Sequence, residues 1–470
     1  MSVKKDMILS RLFRIFIAFT ALFLICDSRQ SLADQTPLAA KLQALSQNAP
    51  ARMHVAVFDL SHNQALFHYH ADEPARPAST LKLLTTAAAI KKLGIDFRFE
   101  TFLYADAPVT GTHVKKLYLV GGGDPTFTSE SLWVIIRKLK GLGIRSVDSL
   151  FLDDGLFLER PERSGVRAFE ASPSALLFNF NSIAFDVCPR VAGQAAAVRV
   201  EPLELTSRVK TSVKTVSSGH PVLDAVELPN FRYLVKGAIR TGSECDPIFR
   251  SVPRPLEYLA ETAKQMLRDN GIKISEVKGG RLPPRTIKLF KHQSRRLNEI
   301  LGDMNYYSNN IIAQQLIFAM GSDTSKNSWS FARGLIESEH FLKQLGVSTN
   351  KLRVKDGSGL SHDNRISANA LLAILRLAHT DPELLPSLKG ALPLGGRSGT
   401  LEKRPLNFPG ILIRAKTGTL NGVTGLAGYI TGKPKQPEIA FVILGNEVTS
   451  VPAMHRAEEN IVRAVIDYVF

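Results

Sequence analysis

Cysteine is scarce in this chain, with three residues in 470, at Cys26, Cys188 and Cys245. That excludes a cysteine-dense disulfide scaffold and leaves no Cys/His cluster for zinc. No His-Glu-x-x-His string supplies a metal site instead, so no metal or organic cofactor is implied. The glycine run Gly121-Gly122-Gly123 lacks the spacing of a dinucleotide or P-loop fingerprint and reads as a strand-to-loop turn. Internal repeats, low-complexity tracts and nucleic-acid motifs are absent. Beyond residue 33 no segment is long and apolar enough to cross a bilayer. Acidic residues are the minority sign, 43 against 59 basic ones, for a net charge of +16.

The composition is that of a folded globular protein, with 44% hydrophobic and 22% charged residues and a mean hydropathy near zero. Its length allows two or three domains. The N-terminus has the grammar of a secretory leader. Lys4, Lys5, Arg11 and Arg14 precede an apolar run from Ile15 to Cys26, and Ser31-Leu32-Ala33 offers a small-residue cleavage site. The alternative is an uncleaved anchor. A lipoprotein is disfavoured because Ile25 stands before Cys26 where a small residue is wanted. Loss of residues 1–33 removes five basic and two acidic residues and leaves +13. Such a charge favours acidic wall polymers or peripheral contact with anionic lipid, and the export signal argues against nucleic acid. Outside the cytoplasm, Cys188 and Cys245 either pair or remain buried thiols.

The strings that carry chemistry are short. Ser-x-x-Lys occurs five times, at Ser2, Ser79, Ser207, Ser275 and Ser348. Only Ser79 follows a segment that cannot be helix interior, Pro74 to Ala78, and precedes an apolar helical pattern, Leu81 to Ile90. Lys82 then stands one turn on, on the same face as Ser79, beside the free N–H groups of a helix start. A desolvated lysine there can lose its proton and accept one from the serine. Taken alone, the pair is also readable as a helix cap and a solvated lysine.

Two further strings follow in order. Ser308-Asn309-Asn310 lies in a helical stretch from Leu297 to Met320 or at a break in it. Lys416-Thr417-Gly418-Thr419 lies on a strand. Gly418 lets a ligand backbone approach, and Lys416 with the hydroxyls of Thr417 and Thr419 can hold a carboxylate. The N–H groups of Ser79 and Thr419 are candidates for an oxyanion hole.

The remaining pattern organises the chain. Strands are expected at 53–60 and 65–70, short strands and turns over 97–157, and a β-rich module over 164–245. Helices are expected at 37–47, 255–271, 330–345, 367–378 and 453–470. An antiparallel meander is expected from 412 to 445.

With the three strings in this order, the sequence resembles the penicilloyl-serine transferases. It is most similar to the D-alanyl-D-alanine carboxypeptidase/endopeptidase family, the low-molecular-mass class C penicillin-binding proteins. The separation of 226 positions from Lys82 to Ser308 carries that family's large insertion. Gly122 to Thr126, Ser172 to Leu176, Asp356 to Ser361 and Gly399 to Leu401 match further family strings. Asn309 and Gln314 depart from the usual Asp and Glu.

The resemblance implies an α+β, serine β-lactamase/transpeptidase-like catalytic domain, an antiparallel sheet flanked by helices, interrupted by inserted β-rich domains. The boundaries expected are 35–95 with 283–470 for the catalytic domain, 96–163 with 246–282 for one insert and 164–245 for a second. It implies a periplasmic serine-type D-Ala-D-Ala carboxypeptidase, with Ser79, Lys82, Ser308, Asn310 and Lys416 catalytic and Thr417, Gly418 and Thr419 binding substrate. The partners implied are peptidoglycan stem peptides and, as covalent inhibitors, β-lactams. Endopeptidase action on cross-links is a further expectation. A β-lactamase or esterase on the same scaffold, or a wall-binding protein with a degenerate site, is the alternative.

Overall fold

The computed structural model describes residues 36–162 and 164–470. The expected leader lies outside them. Among the described residues no helix is long and apolar enough to cross a membrane. The chain divides into two compact units. The first holds the described residues through Ala87, Asn305–Ser308 and Phe341–Phe470; the second holds Ala88–Met304 and Asn309–His340.

The first unit is built on a five-stranded sheet. In spatial order its strands are Leu412–Leu420, Val423–Thr431, Glu438–Asn446, Arg52–Asp59 and Gln64–Tyr69, all antiparallel. The strands from 423 and 438 are almost wholly apolar because both sheet faces are covered. Helices Pro37–Gln47 and Val451–Val469 close one face over Val55, Val57, Phe441 and Ile443. Helix Ala368–Thr380 lies against the sheet as well, and its Leu375 carbonyl accepts the hydroxyl of Tyr429 at 2.9 Å. Each such buried Val, Ile or Phe contributes about 1.5–3 kcal/mol. Local signals fix the helix starts. Thr36 accepts from the Ala39 N–H with Pro37 in the first turn, and Ser367 accepts from the Ala370 N–H.

The second unit contains a mixed five-stranded sheet ordered Lys273–Gly279, Ser146–Asp153, His113–Val120, Glu100–Ala105 and Ile287–Gln293. Ser146–Asp153 runs parallel to both of its neighbours. Two three-stranded sheets follow, from Val209–Val216, Arg232–Arg240 and Val222–Leu228, and from Asp246–Ser251, Ser182–Cys188 and Ala197–Glu201. Cys188 and Cys245 are joined by a disulfide within this unit.

One element departs from the expected pattern. The stretch 97–157, read as strands and turns, contains a 13-residue helix, Ser129–Gly141, burying Leu132, Ile135, Ile136 and Leu139. It carries the chain from His113–Val120 across to the parallel strand Ser146–Asp153, a crossover that antiparallel hairpins do not need.

Candidate active site

Ser79 sits in a single 3₁₀ turn, Ala78–Leu81, that leads directly into helix Lys82–Leu93. That helix is buried all round from Lys82 to Ile90, as its unbroken apolar sequence requires. The turn is held from outside. Thr80 donates to the Pro77 carbonyl at 2.7 Å, and Asn446 grips the Arg76 backbone from both sides, accepting its N–H at 2.8 Å and donating to its carbonyl at 3.0 Å. Ala78 adopts φ +47°, an uncommon conformation for a residue with a Cβ.

Gly359, at φ +84°, lies directly beneath: a Cβ there would stand 1.8 Å from the Ala78 carbonyl oxygen. Glycine is the only residue that satisfies both constraints.

Lys82 is fully buried. Its Nζ lies 2.9 Å from Ser79 Oγ and 2.8 Å from the Ser358 carbonyl oxygen. Burial pushes its pKa well below the ordinary lysine value; the nearby Lys416 charge lowers it further, and Asp356 acts the other way. A neutral amine that donates to Ser358 can turn its lone pair to the Ser79 hydroxyl. The Ser358 loop is shaped by the Asp356 carboxylate, which accepts the N–H groups of Ser358, Gly359 and Ser361 at 2.6 to 2.9 Å. Thr85 ties the helix to the same loop by donating to the Gly357 carbonyl at 2.6 Å.

Ser308 stands at a break. Helix Leu297–Tyr306 ends, Ser308 turns through φ +58°, and helix Asn310–Met320 begins with Asn309 as its cap. Lys416, also fully buried, donates to Ser308 Oγ and to the Thr417 carbonyl, each at 2.9 Å. Burial brings its pKa down to about 7. Thr417 Oγ1 donates to Thr400 Oγ1 at 2.7 Å.

Gly418 faces the nucleophile turn: a Cβ there would lie 2.9 Å from the Ser79 nitrogen and 3.0 Å from the Pro77 oxygen. Thr419 is exposed on the same strand.

Ser79, Lys82, Ser308, Lys416, Thr417 and Gly418 are therefore drawn together within the first unit. Asn310 opens its helix in the second unit, where its Nδ2 donates to the Phe169 carbonyl at 3.2 Å.

Three contributors have no motif role in the sequence. Ser358 and Thr400 lie in strings that match the family, yet nothing in those strings says that one offers a carbonyl to Lys82 and the other a hydroxyl to Thr417. Asn305, whose Nδ2 donates to Thr86 Oγ1 at 2.9 Å, is fully buried and carries no sequence signal, since Asn298, Glu299 and Asp303 are polar in the same helix.

A buried lysine on a serine hydroxyl, a second lysine–serine pair and a glycine strand edge beside them define a serine acyl-transfer site on a sheet flanked by helices. The comparisons agree with that class. The D-Ala-D-Ala carboxypeptidase 3 (S13) family matches residues 38–466. The D-alanyl-D-alanine carboxypeptidase of Actinomadura sp. (strain R39) is 31% identical over 419 residues, covering 83% of this chain and 77% of the relative. The crystal structure of penicillin binding protein 4 from Haemophilus influenzae superimposes with a TM-score of 0.76 at 26% identity, covering 90% of this chain and 99% of that one. The same protein complexed with a β-lactam gives 0.72 at 27% identity, with the same coverage. The chain belongs to the D-Ala-D-Ala carboxypeptidase 3 (S13) family.

Proposed function

We infer that the chain is a penicillin-binding serine DD-peptidase in which Ser79 attacks the carbonyl between two D-alanines of a peptidoglycan stem peptide. The observation that carries this reading is the placement of the buried Lys82 amine between Ser79 Oγ and the Ser358 carbonyl. Lys82 takes the hydroxyl proton as the Oγ–C bond forms. The N–H groups of Ser79 and Thr419 hold the oxyanion. Ser308, tuned by Lys416, passes a proton to the departing amine, and the C–N bond breaks. Water then hydrolyses the acyl-serine.

Lys416, Thr417 and Thr419 hold the terminal carboxylate, and Gly418 lets their strand close against the Ser79 turn. Asn310 is assigned to a substrate amide on the family motif. We assign this chemistry to the discontinuous domain 35–95 and 283–470, with the inserts accessory to it. The leader places the mature chain in the periplasm after cleavage near Ala33, and its basic charge suits peripheral contact with anionic surfaces. β-Lactams are expected to acylate Ser79, in keeping with the β-lactam complex of the Haemophilus protein.

The test is covalent labelling with a fluorescent penicillin, followed by peptide mapping and mass analysis of peptidoglycan digests. The parent should label at Ser79 and release D-alanine, and Ser79→Ala should not label while melting within ~1–2 kcal/mol of the parent. A label on Ser207, Ser275 or Ser348, or labelling of the Ser79→Ala chain, defeats the assignment. Rapid release of hydrolysed penicillin would instead mark a β-lactamase.

A further inference from the structure

The five-stranded sheet of the second unit is dressed differently on its two faces. Leu103, Leu117, Leu119, Leu150 and Leu152 join the core with helices Ser129–Gly141 and Pro255–Asp269. Alternate residues point the other way. On that side the register sets Tyr104 beside Tyr118 and Tyr118 beside Phe151, with Phe102 next along the first strand. Four rings thus form a row across three strands. Tyr118 and Phe151 stack at 5.0 Å, and Phe102 and Tyr104 stand 6.2 Å apart. Phe102, Tyr104 and Phe151 are only half-buried, where a solvated sheet face would ordinarily carry polar residues.

Three of the cations beside the row are matched by carboxylates. Lys291 pairs with Glu100 and Lys278 with Glu276, each at 2.6 Å, and Arg281 reaches Asp153 at 3.4 Å. The Lys288 ammonium lies 4.6 Å from the centre of the Phe102 ring and that of Lys278 5.5 Å from Phe151. The row continues into a cavity of about 590 Å³ whose lining includes Phe97, Glu100, Phe102, Tyr104 and Trp329. That volume falls within the roughly 300–1,000 Å³ of ligand sites, and its lining of rings with a few fixed polar groups has their character.

The chemistry narrows the occupant. A polyanion needs cations free to meet it, and here Lys291, Lys278 and Arg281 are paired with carboxylates while Lys288 is laid over the Phe102 ring. A lipid surface needs apolar side chains that project free, and these rings are stacked on a neighbour or covered by an ammonium group. Flat rings bordered by matched carboxylates and ammonium groups suit a ligand with C–H bonds on its faces and hydroxyls and amides on its edges. A pyranose chain has that form. We propose that this sheet face and its cavity bind a neutral saccharide chain, the glycan backbone of the polymer whose stem peptides the active site cleaves. The choice of glycan rests on the DD-peptidase reading; the binding face itself does not.

The experiment titrates the full chain with chitin oligosaccharides, neutral β-1,4-linked N-acetylglucosamine chains that present the same pyranose faces and amide edges, by calorimetry, beside penicillin acylation of the same samples. The parent should bind. The Phe102→Leu/Tyr104→Leu variant, which keeps apolar bulk and removes the flat rings, should bind at least ~10-fold more weakly while acylating and melting like the parent. Should the double variant melt early, Tyr104→Leu alone is required to weaken binding at least 3-fold. No binding by the parent, unchanged binding by the variants, or association with anionic phospholipid vesicles in place of glycan each overturns the proposal. Loss of the DD-peptidase reading would show separately, as absent acylation in a parent that still binds glycan.

Discussion

Lys82 and Lys416 are both lysines without solvent, and each touches a serine hydroxyl. Their difference lies in what else they touch, a loop carbonyl at Ser358 for the first and the Thr417 carbonyl for the second. If Lys82 is the base, Lys82→Arg puts in its place a cation that cannot give up its proton to become one. Acylation should then fall by at least ~10²-fold, the low end for a general base. Near-normal stopped-flow acylation by that variant would move the base elsewhere. If the strand from Lys416 clamps a carboxylate, amidating the substrate C-terminus should lower kcat/KM by at least ~10-fold, since about 1.4 kcal/mol is tenfold. The penalty should shrink in Thr419→Val, which keeps the backbone N–H. Equal turnover of free and amidated peptides would remove the clamp. The Ser79–Lys82 pairing was readable because a three-residue spacing on a helix start fixes it locally. The partnership of Lys82 with Ser358 was not, because 276 residues separate them and only the folded chain brings them together.

At the scale of elements, the apolar meander and the capped helices were legible from period and punctuation, while the break at Ser308 was one of two readings the sequence left open. Helix Ser129–Gly141 was not legible. Leu132, Ile135, Ile136 and Leu139 do fall at helical spacing, but Trp133 and Val134 fill the gap between them, and a continuous apolar run has no period to read. The exposed sides of Trp133 and Val134 are what disguised it. The loop Asp356–Ser361 illustrates the converse, a glycine whose role is visible only in three dimensions. Gly359→Ala should cost at least ~1–2 kcal/mol for the left-handed backbone alone, and more for the clash with Ala78. Because that clash pushes on the residue before Ser79, penicillin acylation should slow beyond what the melting shift explains. A variant that melts early yet acylates at the parent rate would show the loop to be structural only.

For the molecule as a whole, burying two lysines has a cost that depends on pH. Lys416 has its pKa lowered from an ordinary 10.5 to about 7 by burial. The folded chain then binds fewer protons than the unfolded one between those values. Stability from this group is complete above 10.5 and is lost as pH falls through 7. The shift corresponds to roughly 4–5 kcal/mol at most, and Lys82 acts in the same direction. Lys416→Met should therefore raise the Tm, most of all below pH 7, with the gain narrowing as pH approaches 10. A pH-independent gain would mean that the ammonium is not the source. Activity should be lost in the same variant, the exchange of stability for function expected of a strained site.

The pairing of Arg52–Asp59 with Glu438–Asn446 also sets an order of events in time. Synthesis proceeds from the N-terminus, so the hairpin of Arg52–Asp59 and Gln64–Tyr69 waits with one edge of Arg52–Asp59 unpaired until the strand from Glu438 has been made. Closing so long a loop carries an entropic charge that grows by about 0.6 kcal/mol with each doubling of its length, and long-range pairings of this kind form slowly. Until the meander from Leu412 to Asn446 docks, the Ser79 turn lacks both the Asn446 grip and the Gly418 edge. Penicillin acylation thus becomes a clock for the last step of folding. In refolding from denaturant, its appearance should trail the recovery of secondary structure.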